Sequence, residues 1–261
     1  MNFLKSIVIM LSLYTKIPMP FIEWDGENRK NVLTVLPLAG FVTGAFEILW
    51  LLFCAFFKTG ALIYAAGACV TAAAVTGGIH IDGLSDTADA KASHASPERK
   101  QQILADPHTG AFGALAVVLF EIVCFALYAA IFDRGNAYWF IHLPLVLICI
   151  FTASRALIQL GIAFLPSARN EGMLYTFSSV SDKRLLIINA VIVLAVCQGF
   201  LIFVFGPESL VFAVFGALLL AYFCRMAVRG FGGISGDLCG WMIEMSVLVF
   251  LAAAVVLERL I

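Results

Sequence analysis

Long apolar runs recur along this chain and restrict it to a membrane fold. Each run is close to the roughly 20 residues that a helix needs to cross a bilayer, and the runs lie near residues 36–57, 60–78, 110–132, 138–163, 184–205, 208–227 and 238–257. Because 62% of the residues are hydrophobic and only 13% are charged, an ordinary soluble domain is excluded. The sequence therefore predicts an all-α, polytopic integral membrane helical bundle of about seven transmembrane helices, folded as a single domain over residues 1–261.

The Lys and Arg residues predict how this bundle is oriented, because loops rich in them stay in the cytoplasm. With the N-terminus inside, twelve of them fall on the cytoplasmic side, and only Lys58, Arg134 and Arg259 fall on the other. A shorter apolar segment over residues 3–13 is about half a span long, and its apolar residues have helical spacing. That segment predicts a short N-terminal interfacial helix.

Three aspartates, Asp82, Asp86 and Asp89, follow the second apolar run within the sequence GGIHIDGLSDTAD of residues 77–89. In a helix, residues at i, i+4 and i+7 share one face, so the three carboxylates would converge. Carboxylates so close repel one another unless a cation lies between them, and such oxygen ligands suit Mg²⁺ that is shared with a substrate phosphate. The spacing predicts phosphoryl or pyrophosphoryl chemistry, although a polar loop also contains aspartates for solvation alone.

The residues after the aspartates predict a cover for this site and a place for an anion. Ser96 and Pro97 have the pattern of an N-cap and a first helical residue, so residues 97–105 should form a short surface helix that folds back over the site. Gly110 and Gly113 open the next span, where unpaired backbone amides at a helix start favour a bound phosphate.

A second polar cluster occurs over residues 225–244, at the start of the last span. Gly233 and Gly236 belong to a glycine-rich stretch with the composition of a phosphate-cradling loop, and Asp237 follows directly. A tight turn between packed helices explains the glycines equally simply. A dinucleotide-binding loop is excluded because no strand precedes the glycines and their spacing differs from that fingerprint.

One histidine and two arginines complete the set of candidate site residues. His80, two residues before Asp82, would serve as a general base or as a hydrogen-bonded residue at a helix end. Arg155 lies inside a predicted span, where a charge is costly and is usually functional. Arg155 and Arg169 would both bind phosphate, or Arg155 would instead pair with a buried acid, either Glu47 or Glu121.

Several motifs together make the chain resemble cobalamin synthase, also called adenosylcobinamide-GDP ribazoletransferase, nearly from end to end. Besides residues 77–89, the motifs are TKIPMP at 15–20, LPLAG at 36–40, TGAFG at 109–113, ARNEG at 168–172 and GGISGD at 232–237. Two positions depart from the family pattern, in which a glycine usually follows the third aspartate and a basic residue often precedes the TGAFG motif. Here these positions hold Ala90 and His108.

The resemblance implies the last assembly step of cobalamin, in which adenosylcobinamide-GDP is joined to α-ribazole or its 5′-phosphate, GMP is released and Mg²⁺ is required. It implies an enzyme of the bacterial or archaeal cytoplasmic (inner) membrane, with its active site facing the cytoplasm. The expected partners are these substrates, the lipid bilayer and other late cobalamin-assembly enzymes, with no nucleic acid. The resemblance and the residues together give catalytic roles to His80, Asp82 and Asp86, metal binding to Asp82, Asp86, Asp89 and Asp237, and substrate binding to Arg155, Arg169, Gly110, Gly233 and Gly236.

Two other functions fit parts of the sequence. Intramembrane prenyltransferases also hold Mg²⁺-pyrophosphate with a DxxxD motif, which Asp82 and Asp86 match, but they normally carry two such motifs. A proton-coupled transporter would use Glu47, Glu121 and Arg155 as a charge relay across the membrane. The concentration of acidic residues at one surface favours catalysis there.

Overall fold

A computed structural model describes residues 2–132 and 137–259. Within these ranges the chain is helical, and its β structure is limited to an isolated bridge between Ser167 and Ile234. The helices are α1 Asn2–Tyr14, α2 Gly26–Arg29, α3 Pro37–Phe57, α4 Ala61–Thr76, α5 Ile79–Ala92, α6 Pro97–Leu104, α7 Ala111–Phe132, α8 Ala137–Phe164, α9 Met173–Ser178, α10 Lys183–Phe205, α11 Leu210–Phe231 and α12 Gly236–Glu258.

The predicted all-α membrane bundle is confirmed, but the count of seven spans is not. Five helical stretches in the described residues are long and apolar enough to cross a membrane, or six if α4 and α5 together form one bent span. One of the five, Lys183–Phe231, is 49 residues long and contains both α10 and α11, which a 3₁₀ turn at Gly206–Ser209 separates. Each of these two helices is about 33 to 35 Å long, which is enough to cross a bilayer by itself.

The second predicted span, over residues 60–78, differs most from expectation. Its helix α4 has only 16 residues, and α5 leaves it at an angle of 94°. Gly77 and Gly78 form the corner, with φ of 66° and 76°, in the left-handed region where a side chain is disfavoured. As a result, α5 turns away from the direction of α4 and packs against α7 and α12.

Helices α8 and α12 form the inner part of the bundle, and the other apolar helices surround them. Within the span Phe140–Phe164, 78% of the residues in its most apolar 18-residue stretch are buried, whereas the corresponding share in α7 is 22%. Close packing of α3 against α8 depends on Gly40, because a Cβ atom there would lie 2.2 Å from the carbonyl oxygen of Phe151. The exposed sides of the outer helices are rich in Leu, Ile, Val and Phe, as expected for surfaces that face lipid.

The predicted N-terminal helix is present as α1, whose 13 residues are too few to span a bilayer. Ile9 and Met10 are buried against the bundle, and the Ser6 hydroxyl donates a hydrogen bond of 2.7 Å to the carbonyl oxygen of Asn28. The helix ends at Tyr14, whose ring centroid lies 6.3 Å from that of His80. Helix α1 therefore reaches the predicted site.

Candidate active site

Helices α5 and α12 cross with their backbones in contact, and this crossing brings the two predicted acidic clusters together. A Cβ atom on Gly83 would lie 2.6 Å from the carbonyl oxygen of Asp237, and one on Gly240 would lie 3.0 Å from the carbonyl oxygen of His80. Only glycine permits so close an approach of two helices. The crossing therefore places the first turn of α5, with Asp82, beside the first turn of α12, with Asp237.

A cavity of about 310 Å³ opens at this crossing, between α5, α8, α12 and the loop after α8. Five of the predicted site residues line it, namely His80, Asp82, Arg169, Gly236 and Asp237. The other predicted residues lie outside its lining, and these are Asp86, Asp89, Gly110, Arg155 and Gly233. The volume lies at the lower end of the range typical for small-molecule sites.

The aspartates of this region form a concentration of negative charge. Asp86 is half-buried on α5, outside the five apolar spans, and its pKa is raised to about 6 by burial first and then by the charges of Asp82, Asp237 and Asp89. In residues 2–132 and 137–259, no Lys, Arg or His nitrogen lies within 4.0 Å of any of these four carboxylates. Such a group of unpaired carboxylates attracts a cation.

Asp89 differs from the other aspartates because it caps helix α7. Its Oδ2 atom accepts a hydrogen bond of 2.7 Å from the Gly110 amide, and its Oδ1 atom accepts one of 2.8 Å from the Gly113 amide. In this structure the anion at the start of α7 is therefore a side chain of the protein itself. Binding of a substrate phosphate by Gly110 stays a prediction, and it would require the Asp89 carboxylate to release the Gly110 amide.

The four aspartates supply the right type of ligand for Mg²⁺ without forming a finished metal site. Carboxylate oxygens are the ligands that Mg²⁺ prefers, and it normally keeps several waters besides one or two carboxylates. Among the described residues, however, no three His, Cys, Asp or Glu side chains are grouped closely enough to hold a metal ion. Asp82, Asp86 and Asp237 fit Mg²⁺ in charge and in donor type, and their side chains would have to rotate to share it.

Arg155 belongs to α8 and lies outside the lining of the cavity. Its side chain is buried, and Nη1 donates hydrogen bonds to the Ser154 hydroxyl at 2.9 Å and to the Phe151 carbonyl oxygen at 3.4 Å. The acid whose charge acts on it is Glu244 of α12, so pairing with Glu47 or Glu121 is not observed. Contact between Arg155 and a substrate phosphate therefore stays a prediction, which the position of this side chain does not support.

His80 lines the inner side of the cavity in the first turn of α5. It is 3% exposed, and its Nδ1 atom has no hydrogen-bond partner among the described residues. Burial, and next the positive charge of Arg155, hold the pKa of His80 well below its ordinary value. The ring is therefore neutral at pH 7 and has a nitrogen that can accept a proton, so the prediction of a general base stays open.

Arg169 reaches the cavity because a backbone bridge holds its loop. The Ala168 amide donates to the Ile234 carbonyl oxygen at 2.9 Å, and the Ile234 amide donates to the Pro166 carbonyl oxygen at 2.9 Å. Gly233 permits this bridge, since its φ is 152° and a Cβ atom there would lie 2.6 Å from the Pro166 oxygen. Gly233 thus has a packing role in this structure, and its binding of substrate stays a prediction.

Helix α6 covers the cavity as the sequence predicts. The Ser96 hydroxyl accepts a hydrogen bond from the Arg99 amide, and Gln101 Nε2 donates one of 2.9 Å to the Phe231 carbonyl oxygen at the end of α11. Gln101 and Leu104 line the cavity. The chain therefore holds a polar, partly covered site in which carboxylates and one arginine surround a space for a small molecule.

The amino-acid sequence of the chain matches a known protein family. The sequence profile of the family described as cobalamin-5-phosphate synthase matches residues 6–255. The chain belongs to the cobalamin-5-phosphate synthase family. An adenosylcobinamide-GDP ribazoletransferase of Listeria monocytogenes is 31% identical over 262 residues, which are 99% of this chain and 100% of that protein. One of Lachnoclostridium phytofermentans is 29% identical over 261 residues, which are 100% of this chain and 97% of that protein. No solved structure is significantly similar to the chain.

Membership in the cobalamin-5-phosphate synthase family makes this chain an enzyme of cobalamin biosynthesis. The prenyltransferase and transporter alternatives are therefore set aside. The sequence did not identify Tyr14, Glu171 or Ser235 as cavity residues, although all three line it. Each lies within or beside a family motif, at 15–20, 168–172 and 232–237, so the motifs held the signal that residue type alone did not.

Proposed function

We propose that this enzyme transfers the cobinamide phosphate group of adenosylcobinamide-GDP to α-ribazole or its 5′-phosphate, with release of GMP. The proposal rests mainly on the position of Asp82 and Asp237, which come together at the α5–α12 crossing. Arg169 lines the same cavity, but in the described residues it forms no ion pair with either carboxylate. The similarity to adenosylcobinamide-GDP ribazoletransferases of Listeria monocytogenes and Lachnoclostridium phytofermentans supports it independently.

The reaction needs a nucleophile, a leaving group and a destination for one proton. A ribose hydroxyl of α-ribazole attacks the phosphorus next to the cobinamide arm, the bond between the two phosphates breaks, and GMP leaves with the other phosphate. The hydroxyl proton passes to a base, for which neutral His80 and the raised-pKa carboxylate of Asp86 are the candidates. Arg169 is placed to neutralise charge on the departing phosphate.

Asp82, Asp86 and Asp237 would hold Mg²⁺, with Asp89 able to contribute through its remaining lone pairs. When bound, Mg²⁺ neutralises charge on the diphosphate and so favours phosphoryl transfer. The unpaired charge of these carboxylates supports this assignment. Without a cation, the same carboxylates would repel a diphosphate.

We place the enzyme in the bacterial or archaeal inner membrane with its site on the cytoplasmic side. The cavity is bordered by loops and helix ends that are rich in Lys and Arg, including Lys91, Arg99, Lys100 and Arg169. Positive charge of this kind stays on the cytoplasmic side during insertion. Other late cobalamin-assembly enzymes are expected partners there, because they supply the substrates.

The proposal is tested by GMP release from the purified protein in lipid nanodiscs. Adenosylcobinamide-GDP and α-ribazole are supplied together or singly, with Mg²⁺ present or chelated, and the corrinoid product is identified by mass. Asp82→Asn should abolish release while the protein stays folded. Asp182→Asn is the matched control, because Asp182 only caps α10 and asparagine caps a helix equally well. Release that persists without α-ribazole or with Asp82→Asn would contradict the proposal.

A further inference from the structure

The cavity changes from charged to apolar with depth. Ser167 and Ile234 form the bridge that joins the C-terminal end of α8 to the N-terminal end of α12, so both helices enter the bundle from the same side. On α12, Asp237 lies in the first turn, and Ile243 follows six residues later, about 9 Å deeper in the bundle. On α8, Ile158 lies six residues before the last helical residue, at a similar depth.

Four apolar side chains that line the cavity form a surface that we call the apolar floor, namely Leu36, Ile158, Ile162 and Ile243. All four side chains line the cavity, and each is at most 4% exposed. None of them has a hydrogen-bond donor or acceptor in its side chain. A ligand group that enters the apolar floor must therefore be apolar itself, because a polar group would lose its hydrogen bonds to water without replacement.

The substrates of the proposed reaction contain two flat ring systems that could bind the apolar floor, the guanine of the donor and the dimethylbenzimidazole of the acceptor. The edge of guanine carries an amide N–H, a carbonyl and an amino group, all of which need hydrogen-bond partners. The outer edge of dimethylbenzimidazole carries two methyl groups instead. The corrin ring of the donor is far larger than a cavity of about 310 Å³ accommodates. Hydrophobicity and size therefore both favour the acceptor base.

We propose that the apolar floor binds the dimethylbenzimidazole base of α-ribazole, an assignment that rests on the proposed function. With the base against Ile158 and Ile243, about 9 Å deeper than the first turn of α12, the ribose lies beside Asp82, Asp237 and Arg169. The nucleophilic hydroxyl is then next to the carboxylates. The apolar floor also sets which lower base the enzyme accepts, since it contacts the methylated edge.

The test compares two isoleucines of α8 that are equally buried. Ile162 is 4% exposed and lines the cavity, whereas Ile150 is 1% exposed and lies outside its lining. Truncating a methylene-sized contact in an apolar pocket typically changes discrimination by about tenfold or more. We expect Ile162→Ala to raise KM for α-ribazole about tenfold and to leave KM for adenosylcobinamide-GDP unchanged. The variant should also discriminate less between α-ribazole and the riboside of unsubstituted benzimidazole, because the contact with the methyl groups is lost.

Ile150→Ala should leave both KM values at the wild-type level, although it removes the same atoms from the same helix. If Ile162→Ala does not fold, the milder Ile243→Val gives the same comparison. If the wild type is active and Ile162→Ala raises KM for adenosylcobinamide-GDP, then guanine and not the acceptor base binds the apolar floor. Unchanged KM values would equally overturn the assignment. A wild type that neither releases GMP nor binds α-ribazole would refute the proposed function together with it.

Discussion

The contact between Gly83 and Asp237 yields a quantitative prediction for Gly83→Ala. The new Cβ atom would lie 2.6 Å from the Asp237 carbonyl oxygen, whereas ordinary contacts begin at 3.4 Å. Helices α5 and α12 must therefore separate by about 0.8 Å, since both atoms are fixed to backbone. Overpacking of this kind costs about 1 to 3 kcal/mol of stability.

The effect on activity should exceed the effect on stability. A shift of about 1 Å between catalytic groups costs up to roughly 100-fold in rate, and Asp82 moves relative to Asp237 in this variant. We expect kcat for GMP release to fall by one to two orders of magnitude, while the folded protein remains monodisperse in detergent. The measurement is kcat at saturating substrates together with the melting temperature.

Gly230→Ala is the matched control for Gly83→Ala. Gly230 is also a helical glycine, on α11, but a Cβ atom there would meet nothing within 4 Å. Its replacement should stabilise the protein by about 0.5 to 1 kcal/mol, because alanine favours the helix, and should leave kcat unchanged. A Gly83→Ala enzyme with wild-type kcat would show that the α5–α12 distance does not set the catalytic geometry.

Three further outcomes follow from the site. Asp89→Ala should destabilise the protein by about 1 to 2 kcal/mol and so lower its melting temperature, because the Gly110 and Gly113 amides lose their acceptor. An unchanged melting temperature would contradict the capping role. The pKa of Asp86 is raised to about 6 in the folded protein from an unfolded value near 4. Its contribution to stability is therefore present below pH 4 and is lost as the pH rises through 6. Melting temperatures in Mg²⁺-free buffer should show this loss in the wild type but not in Asp86→Asn. Arg155→Ala should destabilise the protein by about 1 to 3 kcal/mol, because the buried side chain no longer donates to the Ser154 hydroxyl and the Phe151 carbonyl oxygen. Arg169→Ala should instead stay folded and lose activity; circular dichroism together with GMP release separates the two.

The sequence predicted the helices well where hydropathy alone decides, and less well where the backbone turns. Apolar runs located α3, α7, α8 and α12 closely. Hydropathy predicts a single span over residues 60–78, because it does not detect the corner at Gly77 and Gly78. A positive φ at two consecutive glycines depends on what α5 packs against, and that information lies elsewhere in the chain.

The candidate site shows the same division between local and long-range information. The i, i+4, i+7 spacing identified a common helical face, and residues 79–92 are indeed helical. The cap that Asp89 places on α7 joins residues 21 and 24 positions apart, so spacing gave no sign of it. In the same way, Gly233 looked like a phosphate-binding residue because composition does not reveal that the Pro166 backbone fills the space beside it.

The corner between α4 and α5 has a consequence for how the chain enters the membrane. If the helix had continued straight, Asp82, Asp86 and Asp89 would have followed α4 along the bilayer normal. At the centre of a span each aspartate would add about 2.5 to 3.5 kcal/mol to the cost of insertion, and it would add less near the end of a span, where a straight helix would place Asp82. The corner at Gly77 and Gly78 separates the apolar helix from the acidic one, so α4 can insert without carrying the three aspartates along its own axis.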